Sequence, residues 1–312
     1  MGSFHARSLA TLPDVEIVAV ADVRESAARA LSDAVGGTPT TDALGVAAMP
    51  DLDGLVIASP EDSHEAVAMA AFEHGTRVLC EKPLAVGVAA CQRIVDAEVA
   101  IGRRLLQLGL MRVYDRAHVQ LATEVAELGE LHHIRCVHRN VHEVRRTAQL
   151  VLNQSLVHDI HSLRWLAHRQ IVRVTTLVTP NPEHVDHLLV TAEFDGGGHA
   201  SIEFSEHSFA YEVSVEVEAQ LGGAVMAPVM RTTVRRDGSS GVNIGTDWFE
   251  RFADAYRIED SVWLDSLATE AAVGPSAWDG LVAERVVEAA IESLRRRQPV
   301  EITTLETPDL YR

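Results

Sequence analysis

Thr76-Arg77-Val78-Leu79-Cys80-Glu81-Lys82-Pro83-Leu84-Ala85 is the stretch on which the fold turns. Thr76 to Cys80 reads as a short buried strand, which puts Lys82 just past its carboxyl end, where open α/β sheets bind their ligands. Pro83 fixes its own φ and confines Lys82 to extended geometry, so the amine is held in one direction. A fixed ammonium in a crevice suits acid/base work. Taken alone, the same residues also fit an ordinary loop lysine paired with Glu81.

Outward from this strand the pattern repeats. Upstream, Leu55 to Ala58 gives another buried strand, Ser59-Pro60-Glu61-Asp62 a turn, and Glu65 to Glu73 a helix closed by Gly75. Earlier still, Glu16 to Ala21 is a strand ending in Asp22 and followed by an alanine-rich helix from Glu25 to Ala34. An acid at a strand end is what dinucleotide sites use to grip ribose hydroxyls. The chain opens directly in a helix that runs to Leu12 and stops at Pro13. Downstream, Ala89 to Ala100 makes a helix and Arg104 to Leu110 a strand. This alternation predicts an α/β domain over residues 1–110, a doubly wound parallel sheet.

The rhythm changes from Met111, and residues 111–312 read as a second, α+β domain on a large mixed or antiparallel sheet. A helix over Arg116 to Ala126 precedes a strand, Leu131 to Arg139, that delivers His138, Arg139 and Asn140 to its end. Leu156 to Ala167 reads as an amphipathic helix carrying His158, Asp159, His161 and Arg164. Val172 to Val178, Leu188 to Phe194, His199 to Phe204 and Tyr211 to Ala219 alternate as strands, with Gly196-Gly197-Gly198 as a hairpin turn. Helices over Phe249 to Ala268 and Trp278 to Arg297 complete the chain.

Composition narrows the function. A formal charge of −18 over 312 residues argues against nucleic acid or an anionic membrane surface as partner. No apolar run approaches the roughly 20 residues of a membrane span, and no signal peptide is visible. Three cysteines without CxxC spacing point to a reducing cytoplasm. His158 and His161, three apart on one helix, raise a zinc site, but no thiolate pair or HExxH supports it, and no metal is expected.

Taken in order, Asp22, Ser59-Pro60 with His64, Glu81-Lys82-Pro83, Met111-Arg112 with Tyr114-Asp115, His138-Arg139-Asn140, the helix near His158 and Gly274-Pro275-Ser276-Ala277-Trp278-Asp279-Gly280 resemble one family over nearly the whole chain. It is that of the glucose-fructose oxidoreductase, inositol dehydrogenase and MocA-type oxidoreductases; the inositol 2-dehydrogenase branch is the most similar. The resemblance implies a Rossmann domain followed by a domain whose open sheet carries the substrate pocket and often an oligomer interface, here a homo-oligomer. It implies that a secondary alcohol of a cyclitol or sugar gives hydride to NAD while a base takes the hydroxyl proton. That work maps onto Lys82 and His158, with Gln154 in the position four residues before the histidine. Around the cofactor the resemblance implies Gly2, Asp22, Arg24, Ser59, Pro60, His64, Glu81 and Lys82, and around the substrate Arg112, His138, Asn140 and Tyr211. Asp22 favours NAD by repelling a 2′-phosphate, whereas Arg24 leaves NADP open. An NADP-dependent keto-sugar reductase and a non-catalytic sensor of NAD or sugar are the alternatives.

Two departures stand out. Gly2 matches only the third glycine of the Gly-x-Gly-x-x-Gly fingerprint, and the first strand and first two glycines are absent. We expect the natural chain to start about 10 to 15 residues earlier with the fingerprint restored; the rival expectation is a genuine short form that binds NAD weakly. Second, Gln154 and His161 stand where the family commonly has acids. A glutamine cannot offset an imidazolium, so either His158 is expected to be a less basic catalyst here, or Lys82 carries most of the proton transfer.

Overall fold

The computed structural model describes residues 1–141, 146–226, 232–243, 245–269 and 272–312. The chain forms two compact units, one of Met1–Met111, Tyr256–Glu284 and Glu306–Arg312, the other of Arg112–Ala255 and Arg285–Leu305. A single division at residue 110, with 111–312 as the second domain, therefore holds only as far as Ala255. The later segments rejoin the first unit because their burial depends on it. Trp263 packs with Leu9 and Leu79 in one cluster, the Leu108 amide donates to the Pro275 carbonyl at 2.8 Å, and Tyr311 donates to buried Glu98 at 2.7 Å.

In the first unit the order is α1 (Gly2–Leu9), β1 (Ala19–Ala21), α2 (Glu25–Val35), β2 (Thr38–Thr40), α3 (Ala43–Ala47), β3 (Gly54–Ile57), α4 (His64–Glu73), β4 (Arg77–Glu81), α5 (Val88–Ile101) and β5 (Leu106–Gly109). β3, β4 and β5 pair in parallel, and β1 pairs in parallel with β2. Among the described residues no strand joins β1 to β3. The parallel α/β architecture expected from the sequence is present, divided into these two patches. β4 is buried along its whole length, as expected of a strand covered on both faces. α4 ends where Gly75 turns left-handed at φ 71°. Two other glycines set close approaches. A Cβ on Gly54 would fall 2.8 Å from the Trp263 ring, and one on Gly280 2.8 Å from Leu84 Cβ, so the returning segments lie directly on β3 and on the loop after Lys82.

The second unit contains α6 (Arg116–Val125), β6 (Leu131–Val141), α7 (Ala148–Val151), a widened π-type turn at Leu152–Leu156, and α8 (Val157–Ala167). Then follow β7 (Ile171–Asn181), β8 (His184–Phe194), β9 (His199–Ser205), β10 (His207–Ala219), β11 (Gly222–Met226) and the hairpin β12 (Thr232–Arg236) and β13 (Ser239–Asn243). α9 (Trp248–Leu267), α10 (Ala277–Arg296) and β14 (Val300–Glu301) close the chain. The sheet order β11-β10-β6-β9-β8-β7-β14 is antiparallel except for β6 beside β9, which makes the expected mixed sheet. Ile134, Cys136 and His138 point to the buried face of β6. On the other face Arg135 and Arg139 pair with Glu203 and Glu212, both at 2.8 Å. β8 and β10 begin several residues before the expected strands, and β10 meets β6 through a register shift between His207 and Glu212, where period-two alternation lapses.

Candidate active site

In the first unit the expected residues gather at the carboxyl ends of parallel strands. Asp22 follows β1, its backbone amide donating to Thr40 at 3.1 Å. Its carboxylate accepts the Arg24 amide at 2.8 Å; both side chains remain open to solvent, Arg24 more so. A partly exposed carboxylate fixed at a strand end fits the two hydroxyls of a nicotinamide dinucleotide's adenosine ribose. Gly2 brings α1 against Ala58 past the end of β3, although a Cβ there would meet only ordinary contact at 3.5 Å. Ser59 and Pro60 are exposed, and the Ser59 and Ser63 hydroxyls share a hydrogen bond of 2.6 Å.

His64 lies inside this arrangement. It is buried, with Nδ1 2.9 Å from the Pro83 carbonyl and Nε2 2.9 Å from the Ser59 carbonyl. Direct contact with the cofactor, the role expected of it, does not fit a ring with both nitrogens engaged by backbone. Instead it ties the loop after β3 to the loop that presents Lys82.

Glu81 ends β4 with its carboxylate buried beneath that loop, accepting the Lys82 amide at 3.2 Å. Its other oxygen lies 3.0 Å from His5 Nε2, and His5 Nδ1 lies 2.6 Å from Asp260. Burial would raise the Glu81 pKa, but the hydrogen bond and charge of His5, with the charge of Lys82, bring it below the usual carboxylate value. Burial works against a charge on His5 as well. The bonds to Asp260 and Glu81 outweigh it, and the His5 pKa is pushed up to about 10. Lys82 is half-buried, and the Lys82–Pro83 peptide is cis.

In the second unit Asp159, to which the sequence pattern assigns no role, is the hub. It is fully buried, accepting from Arg112 at 2.6 Å and from His138 Nδ1 at 2.7 Å. Burial opposes its charge, yet Arg112 and His138 hold its carboxyl well below the usual range. Tyr211 completes the group, its ring meeting His138 edge to face at 5.7 Å; burial pushes its hydroxyl up. Three of the four residues expected around a substrate thus come together, but Arg112 is 1% exposed and spends its guanidinium on Asp159. It holds that carboxylate instead of facing a ligand. Because Asp159 can only accept, His138 carries its proton on Nδ1 and turns Nε2 outward from the pair. Asn140 is buried near the end of β6.

His158 stands in the first turn of α8, beside Asp159 in sequence and 7% exposed. Gln154 is half-buried in the widened turn before it. Arg146, not foreseen, braces this turn by bonding Glu206 at 2.7 Å and Ser155 at 3.0 Å. Among the described residues no three His, Cys, Asp or Glu side chains group as a metal site.

Residues 1–109 match the model of an oxidoreductase family with an NAD-binding Rossmann fold, and residues 117–225 match the GFO/IDH/MocA C-terminal domain. Inositol 2-dehydrogenase 1 of Saccharopolyspora erythraea is 36% identical, with 100% of this chain and 96% of the relative aligned. The chain belongs to the GFO/IDH/MocA oxidoreductase family. An inositol 2-dehydrogenase of Rubrobacter xylanophilus is 35% identical over 100% of this chain and 93% of its own. The fold superposes with a TM-score of 0.96 on myo-inositol dehydrogenase from Lactobacillus casei, solved with NAD(H) and myo-inositol; identity is 26%, and 100% of this chain and 96% of that one are covered. Residues 1–109 are accordingly the family's NAD-binding Rossmann region, and the chain is an NAD-dependent oxidoreductase. No described helix is long and apolar enough to cross a membrane.

Proposed function

We propose that the protein oxidises a secondary hydroxyl of an inositol-like cyclitol with NAD. Lys82 carries this reading: it stands at the end of the buried strand β4 on the Glu81 carboxylate, in a chain matched end to end by inositol 2-dehydrogenases. Bound NAD supplies the hydride acceptor at its nicotinamide ring. The chain supplies the proton path. Lys82 takes the hydroxyl proton as a general base, and His158, with Gln154 before it, assists from the first turn of α8. Asp22 holds the adenosine ribose, and its negative charge disfavours a 2′-phosphate.

Asn140 and the Nε2 edge of His138 supply polar contacts for the ring hydroxyls, with Asp159 and Arg112 holding the histidine in place. Tyr211 acts through its edge contact with His138. The open face of the β7–β11 sheet, which exposes Leu177, Val225 and the neighbouring Phe209, provides the surface for a homo-oligomer. Cys80, Cys91 and Cys136, all buried thiols, suit work in the reducing cytoplasm.

The exposed guanidinium of Arg24 beside Asp22 favours a second reading, an NADP-dependent keto-sugar reductase. Both are tested by absorbance of the reduced nicotinamide band with NAD and NADP against a panel of cyclitols, sugars and keto sugars. Turnover with NAD and a cyclitol, at least about tenfold better than with NADP, is the expected result. Preference for NADP with a keto sugar would establish the second reading. Binding of NADH without turnover anywhere in the panel would identify a sensor.

A further inference from the structure

The first unit buries a cluster of ionisable groups, His5, Glu81, Glu259 and Asp260, that includes the residue just before Lys82. His5 on α1 is 1% exposed, yet each ring nitrogen faces a carboxylate: Nδ1 lies 2.6 Å from Asp260 and Nε2 3.0 Å from Glu81. A carboxylate only accepts, so both bonds form only when both nitrogens carry protons. The ring is therefore a cation between two anions. Around it lie Glu81 from β4, Asp260 and Glu259 from the returning helix, and the rings of Phe4 and Tyr256. The charges of Lys82 and the Met1 amino group also act on Glu81.

Glu259 is fully buried, and among the described residues neither of its oxygens has a hydrogen-bond partner. Burial, with the charges of Glu81 and Asp260, pushes its pKa well above the usual value, which disfavours a charge on it. The charges that decide the electrostatics behind the lysine are those of His5, Glu81 and Asp260.

We propose that His5 is a positioning residue for Lys82: as an imidazolium locked between Glu81 and Asp260, it fixes the Glu81 carboxylate beneath the lysine loop and offsets its negative charge. This rests on Lys82 being the base of the reaction proposed above. An uncompensated Glu81 beside Lys82 would favour the ammonium form and spoil the base. With His5 charged, Glu81 keeps its hydrogen bond to the Lys82 amide while its pull on the amine's proton is weakened. Asp260 accepts from the ring's Nδ1 and fixes its tilt, while Glu81 alone suffices to hold the second proton on the ring.

The test uses two substitutions of opposite sign. His5→Gln removes a positive charge and keeps an amide donor; Asp260→Asn removes a negative charge and keeps His5 against Glu81. The pH midpoint of Lys82 is read without substrate, from its rate of acetylation by acetic anhydride followed by peptide mass spectrometry. It is read again from the pH dependence of kcat/KM. The midpoint is expected to move to higher pH in His5→Gln and to lower pH in Asp260→Asn, each by about one unit. A merely structural role would lower activity in both variants without opposed shifts. Midpoints that stay in place or move in the same direction would overturn the proposal.

Ring-nitrogen NMR of the unsubstituted protein decides the matter even where a variant does not fold. His5 is expected to stay doubly protonated at about pH 8; a ring that titrates near about 6.5 would overturn the proposal. If no cyclitol or sugar is oxidised, the proposed function fails separately, while the acetylation midpoints and the His5 titration still decide this one.

Discussion

The two units solve the same problem with opposite signs. In the first, a buried imidazolium, His5, lies between the carboxylates of Glu81 and Asp260. In the second, a buried carboxylate, Asp159, lies between the guanidinium of Arg112 and the imidazole of His138. Each cluster adjoins, in sequence, the residue assigned to the proton: Glu81 precedes Lys82, and Asp159 follows His158. The difference lies in what reaches the neighbour. The first cluster holds two carboxylates against one cation, so the balance set by His5 governs the lysine beside it. The second is neutralised by Arg112 and acts chiefly as a rigid mount for its helix turn and for His138.

Substitutions can break this comparison, and the largest effect is expected at the lysine. Lys82→Ala should lower kcat/KM by about 10²–10⁴-fold with the fold intact. His158→Ala should cost less, because Gln154 does not offset an imidazolium. Steady-state kinetics of the two variants checks the order, and a larger loss in His158→Ala would reverse the assignment of roles. Next comes Asp159→Asn, which strands the buried charge of Arg112 and should cost about 3–5 kcal/mol of stability in denaturant unfolding.

A smaller effect separates the clusters by pH. His5 binds its proton more tightly folded, at about 10, than at its ordinary 6.5. Its stabilisation is therefore complete below about 6.5 and is lost as pH rises toward 10. Asp159 behaves in the opposite sense: its lowered pKa gives stability that is present above the ordinary aspartate value of about 3.9 and lost in acid. Thermal midpoints across pH should fall on both flanks, and His5→Gln should flatten the alkaline flank alone. The smallest effect belongs to the partly exposed pair of Arg173 and Glu193, 3.0 Å apart on the open sheet face. Arg173→Ala should change stability by about 0–1 kcal/mol.

What the sequence disclosed follows from how local each signal is. The strand before Lys82 was legible because both its faces are buried and its residues say so. The acid at the end of β1 and the alternation of β6 were legible for the same local reason. Asp260 was not, since it reaches His5 across 255 positions and nothing near either residue marks the contact. The return of Trp263 and Tyr311 to the first unit is hidden likewise, because an amphipathic helix shows that it has a buried face and not what covers it. Asp159 left one trace, an acid on the buried side of an amphipathic helix, where a charge needs a partner. That trace called for a cation nearby, and Arg112 together with His138 answers it. For Arg112 and His64 residue type suggests a ligand contact, and it does not reveal that a guanidinium or a ring is already engaged.

The most direct test of the central claim follows hydrogen itself. The protein is incubated with NAD and myo-inositol, then with other cyclitols, each deuterated at its ring carbons, and the reduced cofactor is analysed by mass spectrometry. Deuterium appearing in NADH, at a rate that falls sharply in Lys82→Ala, is the result expected. NADH that binds to the protein while no deuterium is transferred from any cyclitol would contradict it.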